Sequence, residues 1–468
     1  MSTGELPTPF AERAGTALKD VFLQQALTIA TTKFIELRKD SFAGFPQGDA
    51  LRDRARAIKE ATLQKLDVHL ERLADSVLRL GGHVHWATTG EEARETILTL
   101  CRDRGVRTAV KSKSMATEEI ELNEALEHAG VTPIETDLGE YIIQLAHEKP
   151  SHIIAPAIHK TKGQVAELFS KELSGHFAAD PEVLTAVARK ELRQKFLAAD
   201  MGITGANFAV AETGTVVLVT NEGNARMVTS LPRIHVALMG MEKVIPSMTD
   251  LMVFLSILAR SATGQKLSSY TTLVRGPRRP GELEGPEEFH LILMDNGRSR
   301  QIAGTLREAL YCLRCGACLN VCPVYRQVGG HAYGHTYPGP IGILLTAMLN
   351  GNESVKHLAH ASSLCGACKD VCPVRIDIPR MLVELRQHLD HEKIAPWPER
   401  MVFKAARHLL TSPVLFRLAA GAGRVLQRPF LRDGRLRRLP FFLGRWTATR
   451  DLPPVAARTF HERWKDLR

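Results

Sequence analysis

Apolar residues recur at three- and four-residue spacing, with charges between them, over Ala11–Leu37 and again over Asp49–Leu80. That spacing predicts amphipathic helices. Gly44, Pro46 and Gly48 mark Phe42–Gly48 as the break between them. From His83 the period changes. Val84–Ala87 and Arg107–Lys111 are short apolar runs that predict strands, with a Gly90–Arg104 helix between them that Gly105 ends. A Met115–Gly130 helix follows, with Glu118 and Glu119 in its first turn, where the helix dipole favours acids. His152–Ala155 reads as a further strand. Phe208–Val210 and Thr215–Val219 read as paired strands about a Glu212–Gly214 turn. Ile234–Met239 is another strand, followed by a helix through Leu251–Arg260. Gly276–Pro286 is a loop, and Leu291–Met294 is a last strand before the Asn296-Gly297 turn. Strands and helices alternating at this length predict a largely parallel sheet covered on both faces. Gln301–Leu310, Ile341–Leu349 and Glu353–Ala361 then read as helices.

At roughly 150 residues per domain, 468 residues suggest about three domains. Apolar residues make up 44% and charged residues 24%, which excludes a disordered or collagen-like chain. The longest uncharged apolar run, Leu251–Ala259, is far short of the ~20 residues of a membrane helix. The first thirty residues hold no apolar core with a small-residue cleavage site, so the expected location is the cytoplasm. The net charge of +10 is uneven. Arg400–Arg468 carries 16 Lys/Arg against 4 Asp/Glu, so the tail holds the whole excess.

Seven of the eight cysteines lie between Cys312 and Cys372, a clustering that points to metal rather than to a disulfide framework. Cys312, Cys315, Cys318 and Cys322 followed by Pro323 have the C-x2-C-x2-C-x3-C-P spacing of a bacterial 4Fe–4S ferredoxin motif. Zinc has no reason to use such a run of four. Cys365, Cys368 and Cys372-Pro373 repeat its last three cysteines, with Ser362 at the first position. In two-cluster ferredoxins the fourth cysteine of each motif serves the other cluster. On that rule Cys312, Cys315, Cys318 and Cys372 hold one complete 4Fe–4S cluster. Cys322, Cys365 and Cys368 hold a second that lacks one thiolate. Its fourth iron binds Ser362, water or a side chain such as His360; or the centre is 3Fe–4S; or a partner or substrate reaches it. Electron transfer is favoured over an open catalytic iron.

Forty-two residues separate Cys322 from Cys365, and their helical pattern resembles the α-helical ferredoxin arrangement of respiratory iron–sulfur subunits. The insert holds His331, Tyr333, His335 and Tyr337, either as donors that tune a cluster through its sulfurs or as a surface turn. Cys101 reads as a small buried apolar residue. In the α/β region, Lys111-Ser112-Lys113-Ser114 before a helix suggests an anion site or a solvated cap. Glu212-Thr213 at the Gly214 turn suggests a nucleophile or base, or a turn facing water. Lys111, Ser112, Glu212 and Thr213 are the candidate pocket residues. No residue is assigned a catalytic role. No GxGxxG or Walker loop is present, so no dinucleotide or ATP site is expected.

Lys111–Met115, Ile134–Tyr141, Ala211–Val216 and Leu231-Pro232, followed by the two cysteine motifs in this order, resemble the lactate-utilisation B iron–sulfur protein family over most of the chain. That family also lacks the eighth cluster cysteine. The resemblance implies a domain related to CoA-transferase and sugar-phosphate isomerase folds. It also implies electron transfer in the oxidation of L-lactate to pyruvate, with a cysteine-rich A protein and a C protein as partners. The expected class is therefore multidomain α/β: a helical N-terminal segment (1–70), a CoA-transferase/isomerase-like α/β domain (71–300), an α-helical two-cluster ferredoxin domain (301–390) and a basic tail (391–468). The competing expectations are an oxidoreductase that itself binds and oxidises a small hydroxy acid, and a scaffold with inert clusters. In the tail, Arg424, Arg428, Arg432, Arg435, Arg437 and Arg438 interleave with Phe430, Leu431, Phe441, Phe442 and Trp446. Beside redox machinery this suits an anionic membrane surface at the inner face, or an acidic partner, better than nucleic acid.

Overall fold

The structure is a computed structural model that describes residues 9–394, 397–440, 444–447 and 450–467. It divides into two compact units, Met1–Leu389 and Asp390–Arg468. In the first, the opening helices are Phe10–Ala17, Val21–Ala43, Gly48–Gln64 and Leu66–Arg79. Each expected run is thus broken once. Asp20 starts a new helix, its carboxylate accepting the Leu23 N–H at 3.0 Å. Lys65 leaves helical geometry between the third and fourth helices. These helices bind the cysteine-bearing segment directly. Arg52 donates to the carbonyls of Asp370 and Cys372, Arg56 to that of Arg375, and Arg326 donates back to Thr31 and Thr32.

Ten strands follow: β1 (His83–Ala87), β2 (Thr108–Lys111), β3 (Thr132–Glu135), β4 (Met201–Thr204), β5 (Phe208–Val210), β6 (Thr215–Thr220), β7 (Ile234–Gly240), β8 (Val244–Ile245), β9 (Tyr270–Val274) and β10 (Glu288–Met294). Six form a parallel sheet in the order β1-β10-β7-β4-β2-β3. Every residue of β7 is buried, as expected of a central strand with both faces covered. On β2, Ala109 joins the core with Ile97 and Leu126, while Val110 joins the opposite core with Phe169 and Leu192. Cys101 is buried beside Met201, and burial pushes its thiol up to about 11. A second, mixed sheet has the order β8-β5-β6-β9, with β5 and β6 antiparallel about Glu212–Gly214.

Four expected elements differ. His152–Ala155 is a bend rather than a strand. The His152 ring accepts from the N–H groups of Ile154 and Ala155, and Ser151 bonds Tyr325 and Gly330 of the cysteine segment instead of a strand. The Met115–Gly130 helix splits at Glu121, which has φ +50°, into Met115–Glu119 and Leu122–His128. Gln301–Leu310 supplies only 3₁₀ turns, because Glu308 is committed across the fold to Arg56, Arg380 and the Asp377 N–H. Glu353–Ala361 contains only part of the Asn352–Val355 3₁₀ turn and the hydrogen-bonded turns that follow it. Gly339–Asn350, in contrast, is an almost wholly buried helix. No strand occurs among the described residues of 301–389.

The second unit contains helices Trp397–Thr411 and Pro413–Leu426, a two-residue hairpin (Leu431–Arg432 with Arg435–Leu436) and short helices Gly444–Thr447 and Phe460–Trp464. Phe441, Phe442 and the side chain of Trp446 lie outside the described residues. Among the described residues no single helix is long and apolar enough to cross a membrane. Arg400–Thr411 and Pro413–Leu426, bent by 105°, reach that length and composition only together.

Candidate iron–sulfur centre and adjoining cleft

The two cysteine motifs fold alike. The residue before the second cysteine and the glycine after it are left-handed in both: Arg314 (φ +60°) and Gly316 (+74°) in one, Leu364 (+55°) and Gly366 (+88°) in the other. Such residues bend the chain into a concavity whose N–H groups point inward. The Arg314 N–H donates to Cys312 Sγ at 3.3 Å, and the Ile376 N–H to Cys372 Sγ at 3.3 Å. The fold brings Cys372 against Cys312 and Cys315, and Cys322 against Cys365 and Cys368; Cys318 faces both groups. A void of about 20 Å³ lies among Cys312, Cys315, Cys318 and Cys372, closed by Ile153, Ile341 and Val374. Burial, with neighbouring thiolates adding to it, pushes Cys315 and Cys368 up to about 12 and Cys372 to about 11. Crowded buried thiols ionise only against positive charge, which suits a metal–sulfur group. Seven thiols on two like loops, four in one group and three in the other, fit clusters better than zinc.

The surroundings of the two groups differ. Around Cys312 stand Lys243, which donates to its carbonyl at 3.2 Å, and Arg314, which pairs with Glu242 at 3.3 Å. Arg298 bridges Glu242 (2.7 Å) and Glu119 (2.8 Å), and Lys59 donates to the Glu242 carbonyl. Burial opposes the charge of Glu242, but Arg298 and Arg314 outweigh it and hold the carboxyl at about 2. The other group opens outward, since Cys365 is exposed. Ser362 Oγ accepts the Leu364 N–H at 3.2 Å. In the insert, Tyr333 and Tyr337 are buried. The Tyr333 hydroxyl faces Cys322 without a well-formed partner among the described residues. Tyr337 donates to Glu119 at 2.8 Å, under the Arg314 guanidinium. His331 bonds the Lys149 carbonyl at the surface.

A cleft of about 310 Å³ lies at the carboxyl edge of the parallel sheet, where ligands of open α/β sheets bind. Its walls include Ser112 and Lys113 after β2, Asp137 after β3, Lys243 after β7, and Arg314 and Cys315 of the first cysteine loop. Of the four residues expected in a pocket, only Ser112 lines it. Lys111 is fully buried, donating to Glu135 at 2.6 Å and to Asn123. Burial works against its charge, yet Glu135 and Glu118 outweigh it and raise its pKa. Glu212 is exposed at the tip of the β5–β6 turn, accepting the Met248 N–H, and Thr213 bonds Thr215. Neither lines the cleft. Lys113 lines it in place of Lys111, because β2 ends at Lys111 and Lys113 stands in the loop beyond it. Asn224, Lys243 and Arg314 also line it. Only Arg314, beside a cysteine, had a signal in the sequence.

The fold and the cysteine loops define the class: an α/β domain joined to an iron–sulfur domain. Residues 70–294 match the LUD domain, 308–376 the 4Fe-4S dicluster domain, and 386–467 the C-terminal domain of lactate utilisation protein B. "Lactate utilization protein B" of Shouchella clausii is 44% identical over 458 residues, covering 98% of this chain and 96% of its own. The protein of that name from Macrococcus caseolyticus is 45% identical over 448 residues, covering 95% and 94%. The chain belongs to the lactate utilization protein B family. A crystal structure of a DUF162 family protein from Deinococcus radiodurans is 13% identical, with a TM-score of 0.28, over 49% of this chain and 98% of that one.

Proposed function

We propose that this chain is an iron–sulfur electron-transfer component of an L-lactate oxidation system, taking part in conversion of lactate to pyruvate so that lactate serves as carbon source. The observation that carries the reading is the grouping of seven cysteines by a family-matched dicluster domain. Cys312, Cys315, Cys318 and Cys372 hold a 4Fe–4S cluster. Cys322, Cys365 and Cys368 hold a second, either 4Fe–4S with a non-cysteine ligand or 3Fe–4S. When bound, such clusters supply reversible one-electron chemistry. The chain's own residues surround the first group with buried cations and leave the second at the surface, so the second is the side at which a partner exchanges electrons. The partners are the cysteine-rich A protein and the C protein.

The division into residues 1–70, 71–300, 301–390 and 391–468, and the kinship of the second part to CoA-transferase and isomerase folds, belong to the same reading. So does a cytoplasmic location with the basic C-terminal unit resting on the inner face of the membrane. The test is EPR of anaerobically purified protein, as isolated and after dithionite, with iron analysis. About seven to eight irons per chain and two centres that cycle are expected. Lactate bleaches them only when the A and C proteins are added. Zinc in place of iron, or centres that never cycle, would sink the reading.

A further inference from the structure

The N-terminal helices carry inward-facing positive charge that the carboxylates around it do not balance. In Val21–Ala43, Arg38 donates through Nη2 to the Val371 carbonyl at 3.1 Å, and its Nε is buried without a partner among the described residues. In Gly48–Gln64, Arg52 is buried and donates to the Cys372 carbonyl through Nη2 at 2.8 Å and Nε at 3.2 Å. On the same helix Lys59 is 2% exposed, and its ammonium donates to the Glu242 carbonyl. The acids beside these cations are already divided. Asp49 is exposed and pairs with both Arg52, at 2.9 Å, and Arg375, at 3.1 Å. The Glu242 carboxylate is shared by Arg298 and Arg314, with Lys59 in its field as well. A carboxylate in water offsets little, and buried charge without a counter-charge is costly. What these cations face in common is the first cysteine group. Arg38 stands in the field of Cys315 and Cys372, Arg52 in that of Cys372, and Lys59 in that of Cys312. All three come from helices outside both the α/β sheet and the cysteine loops.

We propose that the N-terminal helices are the counter-charge of the first centre, with Arg38, Arg52 and Lys59 as positioning residues that raise its reduction potential. The inference rests on the reading that Cys312, Cys315, Cys318 and Cys372 hold a cluster. One-electron reduction adds one negative charge to such a cluster and breaks no bond. A cation held nearby therefore stabilises the reduced form more than the oxidised form. Backbone carbonyls hold Arg38, Arg52 and Lys59 where they are, so the field is in place before the electron arrives. The second group stands apart from this arrangement, with Cys365 at the surface and the Tyr333 hydroxyl facing Cys322. It serves as the internal control.

The test is an anaerobic redox titration of the full-length, iron-loaded chain with dithionite, followed by EPR. Cys365→Ser, which alters the second group alone, assigns the signals. Lys59→Met is expected to lower the first midpoint, cutting the reduced-to-oxidised ratio at a fixed poise by ~10-fold or more, and to leave the second midpoint in place. Arg38→Gln, at a half-exposed position, is expected to cut that ratio by ~3-fold, and Arg38→Lys to keep it near wild type. Both Arg38 variants lose the guanidinium and differ in charge, so a role in packing alone would treat them alike. An unmoved first midpoint in Lys59→Met, equal shifts in both centres, or an Arg38→Lys shift as large as that of Arg38→Gln overturns the proposal. If Lys59→Met takes up no iron, the Arg38 pair decides. Wild-type centres that never cycle sink the relay and this inference together. Cycling centres whose first midpoint ignores these charges sink only this inference.

Discussion

His235 sits in the middle of β7, fully buried, with Nε2 against Thr204 Oγ1 at 2.9 Å and Nδ1 without a partner among the described residues. Burial, with His290 beside it, holds its pKa down to about 3, so the folded chain keeps it neutral. The unfolded chain protonates it near 6.5. Stability is therefore fully present above pH 6.5 and is lost as pH falls from there towards 3, at about 1.4 kcal/mol per pH unit for one such proton. His235→Gln keeps a partner for Thr204 and removes that slope. Urea unfolding at pH 7.5, 6.5 and 5.5 reads the difference, and an unchanged slope would clear His235 of the role. Tyr333 makes a second residue-scale case. A hydroxyl donating towards the sulfur of Cys322 favours the more negative, reduced cluster and raises its potential. Tyr333→Phe is expected to lower the midpoint of the second centre and spare the first, in a redox titration followed by EPR. Equal shifts in both centres would count against it.

Among the elements, β4 shows how closely the cleft depends on backbone packing. A Cβ at Gly202 would stand 2.0 Å from the Val228 carbonyl, in the Asn224–Ser230 helix that begins with Asn224. Gly202→Ala forces strand and helix apart and is expected to cost about 1–3 kcal/mol, the range of overpacked cores. Thermal melts of the iron-loaded protein check this, and an unshifted midpoint would mean that the helix moves freely. The same strand shows where the sequence is silent. Met201–Thr204 is only four residues long, contains a glycine and is buried throughout, so it has no alternation to announce it. Gly90–Arg104 was legible to the residue because Thr89 and Gly105 cap it. His152–Ala155 misled, since its apolar residues serve a contact with the cysteine segment and not a strand. Cysteine spacing carries the grouping of Cys372 with the first motif, because that geometry is local to two copies of one loop. Asn224 carries no local signal, because it reaches the cleft wall only through the packing of its helix on β2, β4 and β7.

At the scale of the whole molecule, charge and apolar surface concentrate in the C-terminal unit. Arg400–Arg468 holds 16 Lys/Arg against 4 Asp/Glu. Its helices expose Val402, Phe403, Leu410, Leu418 and Leu426, each at 60% or more. All four acids are engaged within the unit: Asp433 by Arg437, Asp451 by Arg435 and Arg437, Glu462 by Arg424, and Asp466 by Arg458. These pairs are largely exposed and weak, so most of the positive charge stays available. An amphipathic, basic surface of this kind binds anionic lipid through both terms at once. Each arginine contributes about 1 kcal/mol near such a surface, screened within roughly 8–10 Å at physiological salt. Replacing Arg428, Arg432, Arg435 and Arg438 with Gln in the full chain should therefore weaken association with phosphatidylserine-containing vesicles by ~100-fold or more. Flotation at 50 mM and 300 mM salt measures it. Wild-type protein should float at low salt and release at high salt, whereas neutral vesicles should recover little of either protein. If the unit instead docks on an acidic partner, vesicles recover neither protein, and the A or C protein captures the wild type alone with the same salt dependence.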